Sequence, residues 1–170
     1  MDRPPFGGSL RAGVGLASIG VGVLALGQPL GAATTANLSI SATVVSSCAV
    51  TAGTLAFGSY DPTASGNVDQ DGSFTVACTK GTVATVGLNA GLNASGGARR
   101  MSNGTDFLTY ELYKETGRTN VWGESGGAAR TLPAAPSNVS QAVNVHGRVA
   151  PAQNVGVGSY NDTVLITVTF

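Results

Sequence analysis

Polar and apolar residues alternate along residues 34–47, and neither glycine nor proline interrupts them. Leu38, Ile40, Ala42 and Val44 fall on one side at a period of two, with asparagine, serine and threonine between them. This is the pattern of a β-strand with one apolar face. About fourteen residues is more than twice the usual strand length. We therefore expect part of this segment to project beyond its own domain.

The rest of the chain consists of short apolar runs between turn residues, among them the predicted turns Asp71-Gly72 and Asn103-Gly104. None of it shows the 3.6-residue apolar repeat of a capped helix. The runs predict strands at residues 42–50, 73–79, 82–88, 107–113, 141–149 and 164–170. The alternation within two of them predicts these inward-facing residues: Phe74, Val76, Cys78, Leu108, Tyr110 and Leu112. Short strands between glycine-rich turns favour an all-β fold, a two-sheet sandwich of immunoglobulin-like type.

The last predicted strand alternates most clearly. Val164, Ile166, Val168 and Phe170 share one side of it, and the sequence ends there. With no residues left to form a strand beside it, we expect the sandwich to keep an uncovered edge or groove. An exposed apolar edge promotes aggregation unless something covers it.

A surplus strand at the front of the chain and a missing strand at the back complement each other. Each copy would be completed by the front strand of a neighbour, a form of β-augmentation in which backbone hydrogen bonds give affinity and alternate side chains fill pockets. Because the giving and receiving surfaces differ, the contact is head-to-tail and repeats into an open fibre. The pattern also permits an ordinary secreted sandwich with a long, frayed first strand.

Residues 1–33 have the features of a secretory signal peptide. Arg3 and Arg11 supply the positive charge, residues 12–26 the apolar stretch, and residues 31–33 the small side chains of a cleavage site. Charged residues make up only 11% of the chain, and the formal net charge is zero. We therefore expect an exported, nearly neutral protein.

Cys48 and Cys78 are the only two cysteines of the sequence. In an oxidising compartment, an even pair predicts one structural disulfide. Closing a loop of about thirty residues would stabilise the fold by roughly 3.5 kcal/mol in the chain-entropy model. A redox or metal role is disfavoured, since there is no CxxC motif and His146 is the only histidine.

The sequence offers little catalytic chemistry and predicts no enzyme, cofactor, metal or nucleic-acid partner. It has a single histidine, His146, to serve as the base for a nucleophile, and no free cysteine is expected beside the disulfide. Residues 67–72 imitate the start of a calcium loop, but Cys78 stands where the bidentate glutamate belongs. The Arg99-Arg100 pair is too small to bind nucleic acid and is expected on a solvated turn, and His146 is expected at the surface.

Seven segments in order carry a resemblance to a known family: 55–62 (LAFGSYDP), 74–78 (FTVAC), 88–91 (LNAG), 98–101 (ARRM), 110–113 (YELY), 121–123 (VWG) and 158–170 (GSYNDTVLITVTF). Together they resemble the spore coat protein U domain family, which includes subunits of archaic chaperone–usher pili of the biofilm-forming type. The resemblance covers essentially the whole chain after the signal peptide.

The resemblance implies an incomplete immunoglobulin-like domain at residues 46–170 and a donor strand at residues 34–45. The donating side chains carried over are those of Leu38, Ile40, Ala42 and Val44, of which Ala42 is smaller than expected. The strand that a chaperone grips corresponds to Val164, Ile166, Val168 and Phe170, although simple core packing also explains that apolar face.

The partners implied by the resemblance are further copies of the chain in a head-to-tail homopolymer, related pilins, a periplasmic chaperone and an outer-membrane usher. The implied function is a fibre on the cell surface for adhesion and biofilm formation. Two alternatives stay open. One is a secreted spore or cell-surface coat component, and the other is a carbohydrate-binding module that uses Tyr110, Tyr113 and Trp122, whose rings are also suited to core packing.

Overall fold

The computed structural model describes residues 31–170. Most of the predicted signal peptide, residues 1–30, therefore lies outside the described residues. The chain divides into two units, residues 1–41 and 42–170. In the first unit, residues 31–41 are exposed and form no regular secondary structure. Among residues 31–170, no helix has the length and apolar character needed to cross a membrane.

The second unit is all-β, as predicted. Its strands are β1 (Cys48–Thr54), β2 (Val68–Cys78), β3 (Thr85–Leu88), β4 (Arg99–Ser102), β5 (Phe107–Tyr113), β6 (Arg130–Thr131), β7 (Gln141–Val149) and β8 (Ile166–Thr169). One short 3₁₀ helix spans Gly126–Ala128. The strands form an antiparallel five-stranded sheet in the order β1-β2-β7-β5-β4 and a three-stranded sheet in the order β6-β3-β8.

Alternate side chains of both sheets form the core, which follows from the period of two along each strand. The alternation predicted for β2 and β5 is confirmed, since both strands bury their inward residues: Phe74, Val76, Cys78, Leu108, Tyr110 and Leu112. Trp122 is fully buried, and its indole N–H donates to the carbonyl of Val86 at 2.9 Å. The core thus also satisfies the polar atom of its largest side chain.

The strands β5 and β7 have the predicted bounds, whereas β1 begins later than predicted. Residues 42–47 are exposed and form no strand, because β2 ends at Cys78, whose ladder partner is Cys48. Both β4 and β6 were missed, since they are short and β4 begins with two arginines. The predicted turn at Asp71-Gly72 is wrong, because both residues pair with β7 inside β2.

The predicted disulfide joins Cys48 to Cys78, which lie opposite each other on β1 and β2. It fastens the first strand of the sandwich to its neighbour. We call this end of the domain, where β1 begins and β2 ends, the disulfide end.

The calcium-like stretch forms ion pairs on the outer face of the five-stranded sheet. Asp69 accepts two hydrogen bonds from Arg148, and Asp71 accepts one from Arg118. The bonds from Arg148, with the nearby charge of Arg118, hold the pKa of the Asp69 carboxyl below its usual value. The Asp71 carboxylate also lies 2.8 Å from the ring of His146. The prediction of a surface histidine is wrong: His146 lies on β7 but is 6% exposed.

Candidate functional site

A groove of about 400 Å³ lies between the inner face of the five-stranded sheet and the segment that leads into β8. All five strands of that sheet contribute to its lining, and Ile166 and residues 160–164 form the opposite wall. The apolar lining residues include Leu55, Phe57, Phe74, Leu88, Met101, Leu112, Val145 and Val164. The groove is therefore an unfilled part of the hydrophobic core.

Side chains on both sides of this opening point toward the core and yet remain accessible. Val50 shares the inward side of β1 with Cys48 but is 42% exposed, whereas Phe74 on the neighbouring strand is 3% exposed. On the other wall, Val164, Ile166 and Val168 pack against the core and are only partly buried. One row of apolar side chains is missing between the two walls.

The β8 wall also carries a free backbone edge. The N–H of Leu165 and the carbonyls of Leu165 and Thr163 face the β3 side, where they bond to Asn89 and Leu92. Because backbone groups alternate in direction along a strand, those of Val164, Ile166 and Val168 point to the other side. No strand of residues 31–170 pairs with β8 there.

The other wall of the groove is also an edge strand. β1 pairs only with β2, and its ladder shifts in register between Thr51 and Thr54. Gly53 permits this irregularity, because a Cβ atom at that position would lie 1.6 Å from the carbonyl oxygen of Ser73. The groove thus lies between edge strands of both sheets.

One end of the groove is polar. The hydroxyl of Tyr110 donates to the carboxylate of Asp162 at 2.7 Å, and burial together with this bond raises the tyrosine pKa above its usual value. Asn93 donates to the other oxygen of Asp162 from its backbone N–H and from its side-chain amide. The Tyr110 hydroxyl thus joins β5 to the segment before β8, and Asn93 holds the same carboxylate from its other side.

Arg99 lies beside this polar end and is 4% exposed, so the prediction of a solvated turn is wrong for it. Its guanidinium donates to the carboxylate of Glu111 at 2.6 Å and to the carbonyls of Leu88, Asn89 and Trp122 at 2.7–3.0 Å. A buried charge is costly unless it is paired and hydrogen-bonded. Four of the five N–H groups of Arg99 meet that requirement.

The predicted donor side chains are all exposed. Leu38, Ile40 and Val44 are 85%, 87% and 83% exposed, and Ala42 is exposed as well. Of the C-terminal set, Val164, Ile166 and Val168 pack on the core, whereas Phe170 lies just beyond β8 and is 56% exposed.

The sequence analysis missed the polar groups of the site. Tyr110 was expected to face inward, but nothing in the local pattern links its hydroxyl to Asp162, 52 residues later in the chain. Within residues 31–170, no three histidine, cysteine, aspartate or glutamate side chains form a cluster that would hold a metal ion. The rings of Tyr110 and Trp122 are 6% and 0% exposed, which leaves little ring surface for a sugar to stack on.

Comparison with known proteins agrees with this architecture. Residues 34–167 match the family described as Spore Coat Protein U domain. A relative named Protein U, from Myxococcus xanthus, is 35% identical over 179 aligned positions, which cover 95% of this chain and 99% of the relative.

The fold resembles that of a chain in the crystal structure of the CsuC-CsuE chaperone-tip adhesion subunit pre-assembly complex, from archaic chaperone-usher Csu pili of Acinetobacter baumannii. The TM-score is 0.51 and the sequence identity is 25%. The match covers 75% of this chain and 41% of the other, so this protein spans less than half of that chain.

Proposed function

The chain belongs to the Spore Coat Protein U domain family, and we propose that it is a pilus subunit that polymerises by inserting residues 34–45 into the groove of a neighbouring copy. The family is structural rather than enzymatic. The observation that carries the proposal is the apolar groove that two edge strands leave open.

The donor segment has the pattern that this groove requires. A strand added to β8 would exchange backbone hydrogen bonds with Val164, Ile166 and Val168, whose side chains face the core. Residues directly opposite these would also point into the groove. Because alternate residues share one face, Leu38, Ile40, Ala42 and Val44 fit these positions as a set. Full burial stabilises the complex by roughly 1.5–3 kcal/mol for each of the larger aliphatic side chains.

The topology favours a donor strand antiparallel to β8. The donor segment joins its own domain at Cys48, that is, at the disulfide end. In the receiving copy, β3 begins near the disulfide end, shortly after Cys78, and the last residues of β8 pair with the start of β3. β8 therefore runs toward the disulfide end of the receiving copy. A donor strand antiparallel to β8 would therefore leave the receiving groove at the end far from the disulfide of the receiving copy. The disulfide end of the donating copy would then meet the other end of the receiving copy. That arrangement repeats into an open fibre.

A parallel donor would instead bring two disulfide ends together. The donor segment of the receiving copy also leaves from that end, so three copies would crowd at one place. Repetition would then be obstructed rather than continued.

The proposed partners follow from the same groove. Before assembly, the open edge of β8 needs a temporary cover, and the similar fold in a chaperone–subunit complex supports a periplasmic chaperone in that role. An outer-membrane usher, related pilins, a location on the cell surface and a role in adhesion and biofilm formation complete the proposal.

The proposal is tested on the exported full-length chain. The unmodified chain should form multimers, and the Leu38→Asp/Ile40→Asp variant should stay monomeric, because two carboxylates cannot enter an apolar groove at neutral pH. A synthetic peptide of residues 34–45 should bind to the variant monomer and raise its melting temperature in a dose-dependent manner.

The matched control is Ser39→Asp/Ser41→Asp, which adds the same charge on the opposite face of the donor segment and should leave assembly largely intact. If both double variants assemble like the unmodified chain, or if the peptide leaves the melting temperature of the monomer unchanged, the groove does not receive this segment.

A coat component is the second candidate, and the description of the matching family favours it. It differs from the pilus in where the polymer resides. Immunogold labelling of intact cells separates the two, because thin extended fibres support the pilus and an even layer on the surface supports the coat.

A further inference from the structure

We infer that two hydrogen-bonded contacts from the five-stranded sheet to the segments just before β8 and just after β3, Tyr110 to Asp162 and Arg99 to Asn89, act as positioning contacts that hold the groove open for its occupant. We call them the bridging contacts. The inference rests on the proposed function, because it concerns how readily the groove receives a donor strand.

The first bridging contact spans the groove at its polar end. The ring of Tyr110 projects from β5 and packs on Phe57, with 5.9 Å between the ring centroids, and its hydroxyl reaches Asp162. The carboxylate is fixed from its other side by Asn93. Tyr110 and Asp162 both line the groove, on opposite walls.

The second bridging contact reaches β8 through one intermediate residue. Arg99 on β4 donates to the carbonyl of Asn89, just beyond β3. The side-chain oxygen of Asn89 in turn accepts the backbone N–H of Leu165 at 2.9 Å. Glu111 on β5 fixes the other side of the guanidinium. A continuous polar chain therefore runs from the five-stranded sheet to the β8 wall.

An empty apolar groove favours closure, because the two walls bury apolar surface by approaching each other. Closure at this end would have to break or bend the bridging contacts. Leaving the buried guanidinium of Arg99 or the partly buried carboxylate of Asp162 without its hydrogen-bond partner is costly. Together with the backbone bridge between Ser102 and Asn161, the contacts therefore fix the spacing of the walls at one end in the absence of an occupant, and preorganisation of this kind favours binding.

The test uses the full-length Leu38→Asp/Ile40→Asp chain as a monomeric acceptor and the synthetic peptide of residues 34–45 as the probe. Adding Tyr110→Phe removes one hydroxyl and keeps the ring. We expect the association rate constant of the peptide to fall about tenfold, corresponding to one bridging contact worth about 1.4 kcal/mol in the open state. The melting temperature of the free chain is measured in parallel.

The matched control is Tyr60→Phe in the same acceptor. The Tyr60 hydroxyl donates to the carbonyl of Ala150 and accepts from the N–H of Gln153, at 3.0 and 2.9 Å, and it does not line the groove. It should lower the melting temperature comparably and leave the association rate within twofold of the parent. Asp162→Ala should slow association at least as much as Tyr110→Phe, because it also removes the two bonds from Asn93. The double variant should be no slower than Asp162→Ala alone, because the Tyr110 hydroxyl has then already lost its partner.

The outcomes separate the two proposals. If the parent acceptor does not bind the peptide, the proposed function fails. If the parent binds and the Tyr110→Phe and Tyr60→Phe acceptors associate at equal rates, the bridging contacts only stabilise the fold and the inference is wrong. The inference would also be wrong if the effects of Tyr110→Phe and Asp162→Ala on the association rate added up in the double variant.

Discussion

The hydroxyl of Tyr110 on β5 and the carboxylate of Asp162, in the segment before β8, are 2.7 Å apart. Their contact lies at the polar end of the groove and, with the backbone bridge between Ser102 and Asn161, holds the segment before β8 in place. The receiving surface is thus determined by polar contacts at one end and by exposed apolar side chains along the rest.

The raised pKa of Tyr110 predicts that the folded chain loses stability at alkaline pH. Burial and the bond to Asp162 raise its pKa above the unfolded value of 10.0, so the folded chain holds this proton more tightly than the unfolded chain. The resulting stability is fully present below pH 10 and is lost as the pH rises through the raised pKa. Urea unfolding between pH 8 and 11.5 should show this loss, and the Tyr110→Phe variant should lack that part of it. Equal pH profiles would contradict the prediction.

The lowered pKa of Glu115 predicts that the folded chain loses stability at acidic pH. Its carboxylate accepts bonds from the backbone N–H groups of Asn120 and Thr119 and from the Thr119 hydroxyl, which lower its pKa to about 2. The stability it contributes is present above the unfolded value of 4.5 and is lost as the pH falls toward 2. The Glu115→Gln variant should lose part of this acid dependence. Glu124→Gln is the control, since no comparable set of bonds involves that carboxylate among the described residues.

The disulfide predicts a large effect of reduction. Replacing both Cys48 and Cys78 by alanine should lower the free energy of unfolding by roughly 3.5 kcal/mol, because the unfolded chain regains the freedom of a loop of about thirty residues. Chemical denaturation measures the loss. A reducing agent should destabilise the unmodified chain by a similar amount and leave the double variant unchanged. If the reducing agent also destabilised the double variant, its effect on the unmodified chain could not be assigned to the disulfide.

Gly147 predicts tight packing beneath the groove. A Cβ atom there would lie 2.7 Å from the ring of Phe57 and 2.9 Å from Leu55, so Gly147→Ala should displace groove-lining side chains. Overpacking of this kind costs about 1–3 kcal/mol in unfolding free energy. The control is Gly66→Ala, where nothing lies within 4 Å and the backbone φ is not positive. Equal melting temperatures for the two variants would show that Phe57 yields without strain.

The sequence was sufficient for the fold class and for the inward faces of β2 and β5, because a period of two is visible locally. It was misleading for Arg99 and His146, where charge suggested solvent. Their burial depends on Glu111 and Asp71, which are 12 and 75 residues away in the chain and meet them only on neighbouring strands of the folded sheet. The apolar groove was expected from an unpaired last strand, but its polar end arises from contacts 52 to 69 residues apart, which no local pattern encodes.

Ala42 predicts that the donor strand can be improved. It is the smallest of the four proposed donor side chains, and each added buried methylene contributes roughly 0.8 kcal/mol where space is available. A peptide of residues 34–45 with Ala42→Val should therefore bind the Leu38→Asp/Ile40→Asp acceptor about tenfold more tightly, as measured by titration calorimetry. The control peptide carries Thr43→Val, which makes the opposite, outward face more apolar and should change the affinity less than twofold. If Thr43→Val has the larger effect, the donor segment binds with the other face inward, and the assignment of Leu38 and Ile40 to the groove is wrong.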